Sequence, residues 1–364
     1  MAHGSADSFD LVVFEGHTTV VRNGRKERRH GNTKGVLDAE DTLLWMENVT
    51  LAPHIGARRD MAELAARNLL GSAGRCAYAM AEPRCRESSS FVAAQGSGVM
   101  NTAEGTPVYE IYALKYAGPL KSKLAMLLWM EGWDEEIERN YYIWVIKGQD
   151  EMIVVDAGMR VALAEERKVH NFVDPVHVLE RIGAHENNLR KVVLTHLHFD
   201  HAGGIDRFAE AFPNATFFVQ EKEFDFWLRN SIAKRGPFAR VSDETANQAL
   251  ARLNDRGRAT RVAEDQEIMP GIHLLLAPGH TPGLQVVSVN TARGTAIIGS
   301  DCAPLSRNYS EDNPSAYITD MAAWLETYDK VRSRASSIDL IFPGHDTQLL
   351  TRYPKVAQDV TRLA

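Results

Sequence analysis

Residues 195–204 read Thr-His-Leu-His-Phe-Asp-His-Ala-Gly-Gly, and the rest of the chain is interpreted around them. They follow a short apolar run, residues 191–194, whose β-branched and aliphatic side chains predict a buried strand. Alternate residues of an extended segment project on the same side, so His196 and His198 are expected to direct their imidazoles to one place. The stretch therefore predicts a pair of ligands at the end of a strand.

Asp200 and His201 come too late in the sequence to continue that strand. The glycines at positions 203 and 204 permit a tight turn, which is expected to direct these two side chains toward a second place nearby. Imidazole and carboxylate groups suit Zn²⁺ and its first-row neighbours. Four such groups within six residues therefore predict one half of a two-metal site.

Three further candidate ligands lie downstream, each in a loop that follows an apolar run. The ligands are His280, Asp301 and His345, and the runs cover residues 272–277, 295–300 and 340–344. Loops at strand ends carry many active-site groups, because a rigid sheet holds them in place. We predict that these three residues complete the metal site.

The composition restricts the class of protein. The chain has 364 residues, of which 44% are hydrophobic, and a formal net charge of -7 at pH 7. Residues 1–99 contain 12 basic and 12 acidic side chains, which leaves 29 basic and 36 acidic side chains in residues 100–364. The acidic excess accompanies the metal motif, and it argues against a nucleic-acid partner, which requires a basic surface.

The sequence also predicts a compartment. No apolar run reaches the length of a membrane span, and the first residues lack the basic and apolar segments of a signal peptide. The cysteines, Cys76, Cys85 and Cys302, match no zinc-finger spacing and cannot all pair with one another, so we expect a cytoplasmic protein with reduced thiols. Cys302 is interpreted as a packed small residue, because it faces away from its neighbour Asp301 on an extended segment.

Two regions of different character divide the chain. Residues 1–99 are predicted to be an accessory or poorly ordered extension of unknown role, in which we expect a strand, a helix and a linker at 11–14, 59–70 and 88–98. Residues 100–364 are predicted to form the functional domain. Its predicted strands cover 108–116, 141–146, 152–155, 191–194, 216–220, 272–276, 284–289, 295–299 and 339–342, and its helical regions cover 174–182, 205–212, 221–262 and 320–334. Strand groups separated by single helices indicate an α/β fold of two packed sheets with helices on the outer faces.

The sequence resembles the metallo-β-lactamase superfamily in four places. They are His-x-His-x-Asp-His at 196–201, Gly-His-Thr-Pro-Gly at 279–283, the strand-end Asp301, and Pro-Gly-His-Asp at 343–346. Within the superfamily, these residues are most similar to the N-acyl homoserine lactonase-like branch, over about residues 108–355. The resemblance implies an αββα sandwich of two mixed sheets, a centre of two Zn²⁺ per chain, and hydrolysis of a lactone ring.

The same resemblance assigns individual residues to the metals. It implies first-metal ligands His196, His198 and His280, second-metal ligands Asp200, His201 and His345, and a bridging Asp301. Asp156, in the Asp-x-Gly at the end of the predicted strand 152–155, is expected to support the ligands from behind. Other first-row divalent metals in place of zinc remain open.

The expected mechanism needs no covalent enzyme intermediate. A metal pair lowers the pKa of a shared water, so a bridging hydroxide would attack the lactone carbonyl at neutral pH, with Asp200 orienting it and passing its proton to the leaving oxygen. Lactonases of this type often carry a tyrosine three residues after the bridging aspartate. That position is Pro304 here, and Tyr309 is the candidate substitute, although an ordinary surface tyrosine is the more frequent case. Four aromatic residues either pack locally or line an apolar channel for an acyl chain: Phe224, Trp227, Phe238 and Trp129.

Several alternatives stay open at this point. The scaffold also suits another ester, a thioester or a cyclic amide. A glyoxalase II-like thioesterase would need a large C-terminal helical region, and only 19 residues follow His345; a β-lactamase would carry cysteine where Asp301 stands. A non-catalytic metal-binding sensor would be expected to have lost ligands, and none is missing. The expected partner is a small-molecule lactone or ester, and a homodimer is a further open alternative.

Overall fold

The computed structural model describes residues 105–364 and, before them, the backbone of three strands. These are Phe9–Phe14 (β1), His17–Arg22 (β2) and Arg25–Arg28 (β3), which form an antiparallel sheet in the order β1-β2-β3. The predicted strand at 11–14 falls within β1. The predicted helix at 59–70 and the predicted linker at 88–98 lie outside the described residues.

The chain divides into two compact units. One covers Met1–Ser97 and contains the small N-terminal sheet, and the other covers Gly98–Ala364 and contains the predicted metal ligands. The assignment of residues 1–99 as an accessory or poorly ordered extension stays a prediction. The sheets and helices below belong to the second unit.

The larger sheet of this unit has eight strands. They are Glu110–Lys123 (β4), Glu136–Lys147 (β5), Met152–Val155 (β6), Leu189–Val193 (β7), Thr216–Gln220 (β8), Ala259–Val262 (β9), and, after the strands of the second sheet, Lys355–Ala357 (β15) and Val360–Arg362 (β16). Their spatial order is β15-β16-β4-β5-β6-β7-β8-β9. Pairing is antiparallel from β15 to β6 and parallel from β6 to β9, so the sheet is mixed.

The smaller sheet has five strands in sequence order. They are Gln266–Met269 (β10), Ile272–Leu276 (β11), Gln285–Thr291 (β12), Gly294–Ser300 (β13) and Ile341–Pro343 (β14). The first four strands pair antiparallel, whereas β14 lies parallel to β13. The loops that follow β13 and β14 therefore leave the sheet at the same end of these two strands.

The two sheets pack face to face through their inner side chains. Val193 of β7 belongs to a buried cluster shared with Leu274 of β11 and Ile298 of β13. Its neighbours Val192 and Leu194 belong instead to the cluster under the helices, as the twofold alternation of a strand requires. Both faces of the central strands are thus buried, which explains why their sequences read as continuous apolar runs.

Helices cover the outer faces of both sheets. They are Leu124–Leu127, Val161–Glu166, Pro175–Glu180, Phe199–Ala202, Ile205–Ala211, Glu221–Arg229, Gly236–Ala239, Glu244–Asp255, Ser306–Ser310, Met321–Arg334 and Leu349–Arg352, with 3₁₀ turns at Ser231–Lys234 and Ile338–Leu340. Pro175–Glu180 begins as predicted, since the Asp174 carboxylate accepts the Val176 amide at 3.0 Å. On the smaller sheet, Trp324 and Tyr328 of Met321–Arg334 bury their rings. These four layers confirm the predicted αββα sandwich.

The prediction of a helical region over 221–262 is wrong at its C-terminal end. The helices there end at Asp255, and Ala259–Val262 instead forms β9, which adds a parallel strand to the sheet edge beside β8. Gly257, with φ +69°, lets the chain leave the helix in the left-handed conformation that favours glycine. The pairing partner, not the polar sequence Thr260-Arg261, decides that this segment is extended.

The helices of the described residues are all too short or too polar to cross a membrane.

Candidate metal centre

The seven predicted ligands come together where strand ends of both sheets meet. His196 and His198 lie in the extended segment after β7, and Asp200 and His201 lie in the single helical turn Phe199–Ala202. The other three residues occupy loops after β11, β13 and β14: His280, Asp301 and His345. All seven side chains are buried.

A turn lies at positions 203 and 204, as the sequence predicted. Both Gly203 and Gly204 have negative φ, so they do not provide a left-handed turn. They are needed for close packing instead, because a Cβ on Gly204 would lie 2.3 Å from the Ala157 carbonyl oxygen, and one on Gly203 would lie 3.0 Å from the Arg160 backbone nitrogen. The helical turn that carries Asp200 and His201 is thereby pressed against the end of β6.

The first group of predicted ligands consists of His196, His198 and His280. Their ring centroids are 4.6 Å apart for His196 and His198, 4.9 Å for His196 and His280, and 4.6 Å for His198 and His280. The Nε2 of His280 lies 3.0 Å from the Nδ1 of His198. One nitrogen of each ring thus converges on a common point, as three ligands of one cation would.

The second group consists of Asp200, His201 and His345. The Oδ2 atom of Asp200 lies 3.6 Å from the Nε2 of His201 and 3.6 Å from the Nε2 of His345. Ligand atoms of these three residues all lie within 4.8 Å of one another. They form a second convergent set beside the three histidines.

Asp301 lies between the two groups and faces both. Its Oδ1 atom is 3.3 Å from the Nε2 of His201 and 3.0 Å from the Nε2 of His345. Its Oδ2 atom is 3.5 Å from the Nε2 of His280. The two oxygens of one carboxylate therefore point to different ligand groups, which is the arrangement of a bridging carboxylate.

Four atoms at the centre of this cluster have no hydrogen-bond partner among the residues that the structure describes. They are the Nε2 atoms of His196, His201 and His345 and the Oδ1 atom of Asp301, all of them buried. A buried polar atom without a partner costs about 1–3 kcal/mol. Four of them around one space fit divalent cations, and imidazole with carboxylate is a donor set that suits Zn²⁺.

Hydrogen bonds behind the rings fix the orientation of three histidines. The Nδ1 atoms of His280 and His345 donate to the carbonyl oxygens of Tyr317, at 2.7 Å, and Asn140, at 2.8 Å. A carbonyl oxygen only accepts, so each Nδ1 carries the proton and each Nε2 keeps its lone pair. The Nδ1 of His201 lies 2.7 Å from the Oδ2 of Asp156.

Asp156 joins the ends of two adjacent strands. It follows β6 with φ +67°, and its fully buried carboxylate accepts the backbone N–H of Thr195 at 2.7 Å as well as the His201 ring. The Thr195 hydroxyl donates to the same carboxylate. This single carboxylate therefore fixes both the start of the His-x-His segment and the orientation of His201.

The buried environment shifts the pKa of most of the clustered groups. Burial lowers the pKa of His196 and His198 well below the ordinary histidine value, and neighbouring imidazoles lower it further, so both rings are neutral. Burial also lowers the pKa of His280. For Asp301, burial is outweighed by His345 and His201, which hold its pKa well below the ordinary range. Neutral imidazole and ionised carboxylate are the states that bind metals.

A buried glutamate escaped the sequence analysis. The Glu223 carboxylate accepts the backbone N–H of Leu197 at 2.9 Å, between two ligands, and the Thr281 hydroxyl at 2.7 Å, beside a third. It also accepts the N–H of Gly283 at 3.0 Å and the Trp227 indole N–H at 2.6 Å. Burial raises its pKa, although these hydrogen bonds oppose the change. The sequence gave no signal for Glu223, because it lies in a helix rich in charged residues and its donors other than Trp227 come from distant segments.

The predicted substrate contacts fall in different places. Trp227 lies next to the cluster, with its ring 5.4 Å from that of His198, and Phe238 packs on it at 6.1 Å. Trp129 is 40% exposed, whereas Phe224 is buried in the core under the helices. The ring of Tyr309 is buried in the outer core of the smaller sheet, and its hydroxyl donates to the Ile341 carbonyl oxygen at 3.1 Å.

Two mixed sheets with five histidines and two aspartates converging at their strand ends are the arrangement of a metal-dependent hydrolase. The family model of the Metallo-beta-lactamase superfamily matches residues 137–345, which is more than half of the chain and includes all seven clustered residues. The chain therefore belongs to the metallo-β-lactamase superfamily. This confirms the resemblance inferred from the sequence motifs.

Curated relatives that match this chain include lactonases. An N-acyl homoserine lactonase from Bacillus thuringiensis is 26% identical over 227 residues, which cover 57% of this chain and 83% of the relative. The N-acyl homoserine lactonase AttM from Rhizobium radiobacter is 22% identical over 266 residues, which cover 68% of this chain and 97% of the relative.

Solved structures share the fold. An N-acyl homoserine lactone hydrolase with the product N-hexanoyl-L-homoserine at its catalytic metal center superposes with a TM-score of 0.57 at 21% identity, covering 69% of this chain and 98% of that one. AidC, a dizinc quorum-quenching lactonase, gives a TM-score of 0.51 at 20% identity, covering 66% and 88%. At such identities the similarity establishes the fold.

Proposed function

We propose that this protein is a dinuclear zinc hydrolase that opens a lactone ring, with N-acyl homoserine lactones as the substrate class. The observation that carries the proposal is the position of Asp301, whose two carboxylate oxygens face two separate groups of buried ligands. The lactonases among the curated relatives support the substrate class. The preferred acyl chain would be decided by the walls of the site.

In this proposal each convergent group holds one cation. His196, His198 and His280 would hold the first, Asp200, His201 and His345 would hold the second, and Asp301, whose carboxylate faces both groups, would serve both. When bound, a zinc pair supplies a nucleophile derived from water at neutral pH and polarises the substrate carbonyl. Asp156 keeps the His201 ring in the orientation that directs its Nε2 into the site.

Hydrolysis adds water across the ring ester. The water oxygen bonds to the carbonyl carbon, the ring C–O bond breaks, and the ring oxygen takes a proton. We assign the transfer of this proton to Asp200. Its carboxylate faces only the second group of predicted ligands, whereas the carboxylate of Asp301 faces both groups. Tyr309 receives no role in the chemistry, since its hydroxyl is already bonded to the Ile341 carbonyl oxygen.

Apolar side chains near the site provide a wall for an acyl chain. Trp227 borders His198, Phe238 packs on Trp227, and the segment after Leu124–Leu127 exposes Trp129. The backbone N–H of Trp129 donates to the Pro314 carbonyl oxygen at 2.7 Å. This bond fixes the segment beside the loop that contains Tyr317, whose carbonyl oxygen accepts the His280 ring N–H. We propose that Trp129, Trp227 and Phe238 contact the acyl chain. Trp227 and Phe224 both belong to the core under the helices, but the Trp227 ring also faces His198.

A substrate panel tests the proposed function. The purified protein, loaded with zinc, is assayed with a pH indicator on lactones, thioesters and β-lactams. We expect ring opening of N-acyl homoserine lactones at the highest kcat/KM, and loss of both turnover and bound zinc in His198→Ala with the fold retained. His273→Ala, an exposed histidine on β11, is the matched control and should keep both. Turnover of thioesters or β-lactams alone would contradict the proposal.

A further inference from the structure

Arg139 lies beside the proposed second-metal ligands. Its backbone forms a β-bridge with Asp346, the residue after His345. The adjacent Asn140 exchanges two hydrogen bonds with His345: the Asn140 N–H donates to the His345 carbonyl oxygen at 3.0 Å, and the His345 Nδ1 donates to the Asn140 carbonyl oxygen at 2.8 Å. Arg139 is thus anchored to the backbone of the site itself.

The side chain of Arg139 lies against an aromatic ring that borders the site. Its guanidinium carbon is 5.0 Å from the ring centroid of Tyr141, which is two residues away on the same face of β5. The Tyr141 ring in turn meets the His345 ring edge to face, with 5.2 Å between centroids and 89° between planes. The order is therefore guanidinium, phenol ring and then ligand imidazole.

The guanidinium has no hydrogen-bond or ion-pair partner within residues 105–364. Its Nε is buried without a hydrogen bond, and none of its nitrogens forms an ion pair in this part of the chain. By contrast, Arg207, Arg252 and Arg332 each pair with a carboxylate on the surface. An arginine has five N–H donors in a planar fork that matches an oxyanion, so a half-buried fork without a partner is suited to a ligand.

The surroundings favour the charged form of this side chain. Burial alone would lower the pKa of Arg139, but Tyr141, Asp200, Tyr317 and Asp301 raise it above the ordinary arginine value. The separations of 5.0 Å from the guanidinium to the Tyr141 ring and 5.2 Å from that ring to the His345 ring place the guanidinium within about 10 Å of a predicted ligand of the centre. A substrate held at the centre would lie within reach of this cation.

We propose that Arg139 is a specificity-determining residue that recognises an oxyanion on the substrate, and that the site favours lactones whose acyl chain carries a carboxylate. This inference rests on the proposed function and narrows its substrate class. A carboxylate and a phosphate would both fit the fork; we commit to the carboxylate, whose two coplanar oxygens match the planar guanidinium in a bidentate pair.

The test compares two lactones that differ in one group. α-Amino-γ-butyrolactone is acylated with succinate, which ends in a carboxylate, or with butyrate, which ends in a methyl group. We expect the zinc-loaded full-length protein to favour the succinyl lactone in kcat/KM by about tenfold or more, as a charged hydrogen bond predicts. Arg139→Met should abolish this preference, and Arg139→Lys should restore part of it, because ammonium keeps the charge and loses the fork.

Controls separate this effect from a general loss of structure. Arg352 also lies over an aromatic ring, that of Tyr353, and pairs with Asp339, so Arg352→Met removes a comparable charge outside the site and should keep the preference. Bound zinc, measured by mass spectrometry, should be unchanged in all three variants.

The outcomes distinguish the inference from the proposed function. If the wild-type protein opens both lactones at equal kcat/KM, or if Arg139→Met lowers both equally, the role of Arg139 is contradicted while the lactonase proposal stands. If neither lactone is opened, the proposed function itself fails. A phosphorylated acyl chain favoured over the succinyl chain would overturn the assignment of a carboxylate.

Discussion

The Nδ1 atom of His201 lies 2.7 Å from the Oδ2 atom of Asp156, and both side chains are fully buried. The contact joins the end of β6 to the helical turn after β7, which are neighbours in the sheet. It leaves the His201 Nε2 directed at Asp200 and Asp301. A carboxylate behind a ligand histidine sets the ring orientation and increases its basicity.

Asp156→Asn should weaken binding of the second metal. The amide keeps the size of the side chain but loses the negative charge, so the His201 ring is less basic and less firmly oriented. We expect a 10- to 100-fold loss of affinity for one of two zinc ions, measured by competition with a chelator. Asp206→Asn, an exposed carboxylate on Ile205–Ala211, is the control and should bind both ions normally. Equal affinities in the two variants would contradict this role.

Glu223→Gln should loosen the first ligand group. The side-chain amide nitrogen cannot accept, so some of the four donors around Glu223 lose their partner, and each buried loss costs about 1–3 kcal/mol. We expect a lower urea midpoint and weaker binding of one zinc ion. Glu221→Gln, which changes an exposed residue on the same helix, should alter neither quantity. Unchanged zinc affinity in Glu223→Gln would refute the link between this carboxylate and the histidines.

Trp129→Ala should change the preference for acyl length. Its ring is partly exposed, so removal leaves the core intact, and a long chain loses an apolar contact that a short chain does not reach. We expect kcat/KM to fall about tenfold for a decanoyl lactone and by less than threefold for a butyryl lactone. A fall of equal size for both substrates would remove Trp129 from the proposed acyl wall.

The metal-free protein should lose stability in mild acid. Burial lowers the pKa of His196, His198 and His280 in the folded chain. In the unfolded chain, the same histidines have the ordinary pKa of about 6.5. Below that pH the unfolded state binds more protons, so the stability present at pH 7.5 declines as the pH falls. His201 acts in the opposite sense, because Asp301, Asp200 and Asp156 raise its pKa despite burial, but it is one group against three. Urea midpoints at pH 7.5 and 5.5 test this; a higher midpoint at pH 5.5 would contradict it.

The sequence predicted those parts of the site that depend on local spacing. His196, His198, Asp200 and His201 lie within one short segment, and the three later ligands each follow an apolar strand, so their convergence follows from the sheet. The αββα fold was predictable because apolar residues recur every second position in strands and about every 3.6 positions in helices.

Features that depend on distant contacts were not predictable in this way. The donors of Glu223 come from three separate segments, and Arg139 is significant only because its guanidinium has no hydrogen-bond or ion-pair partner among residues 105–364. Ala259–Val262 is polar enough to resemble a helix until β8 is placed beside it. Likewise, Gly204 is explained by the carbonyl group of Ala157, which the sequence does not place near it.

The central claim is that two metal ions held by these seven residues open a lactone, and stepwise reconstitution tests it most directly. Zinc is added to chelator-treated full-length protein, and bound metal and hydrolysis of N-hexanoyl homoserine lactone are measured in the same samples. We predict no turnover without metal and a plateau at two zinc ions per chain. Full turnover in the metal-free protein, or two bound ions with no ring opening, would contradict the claim.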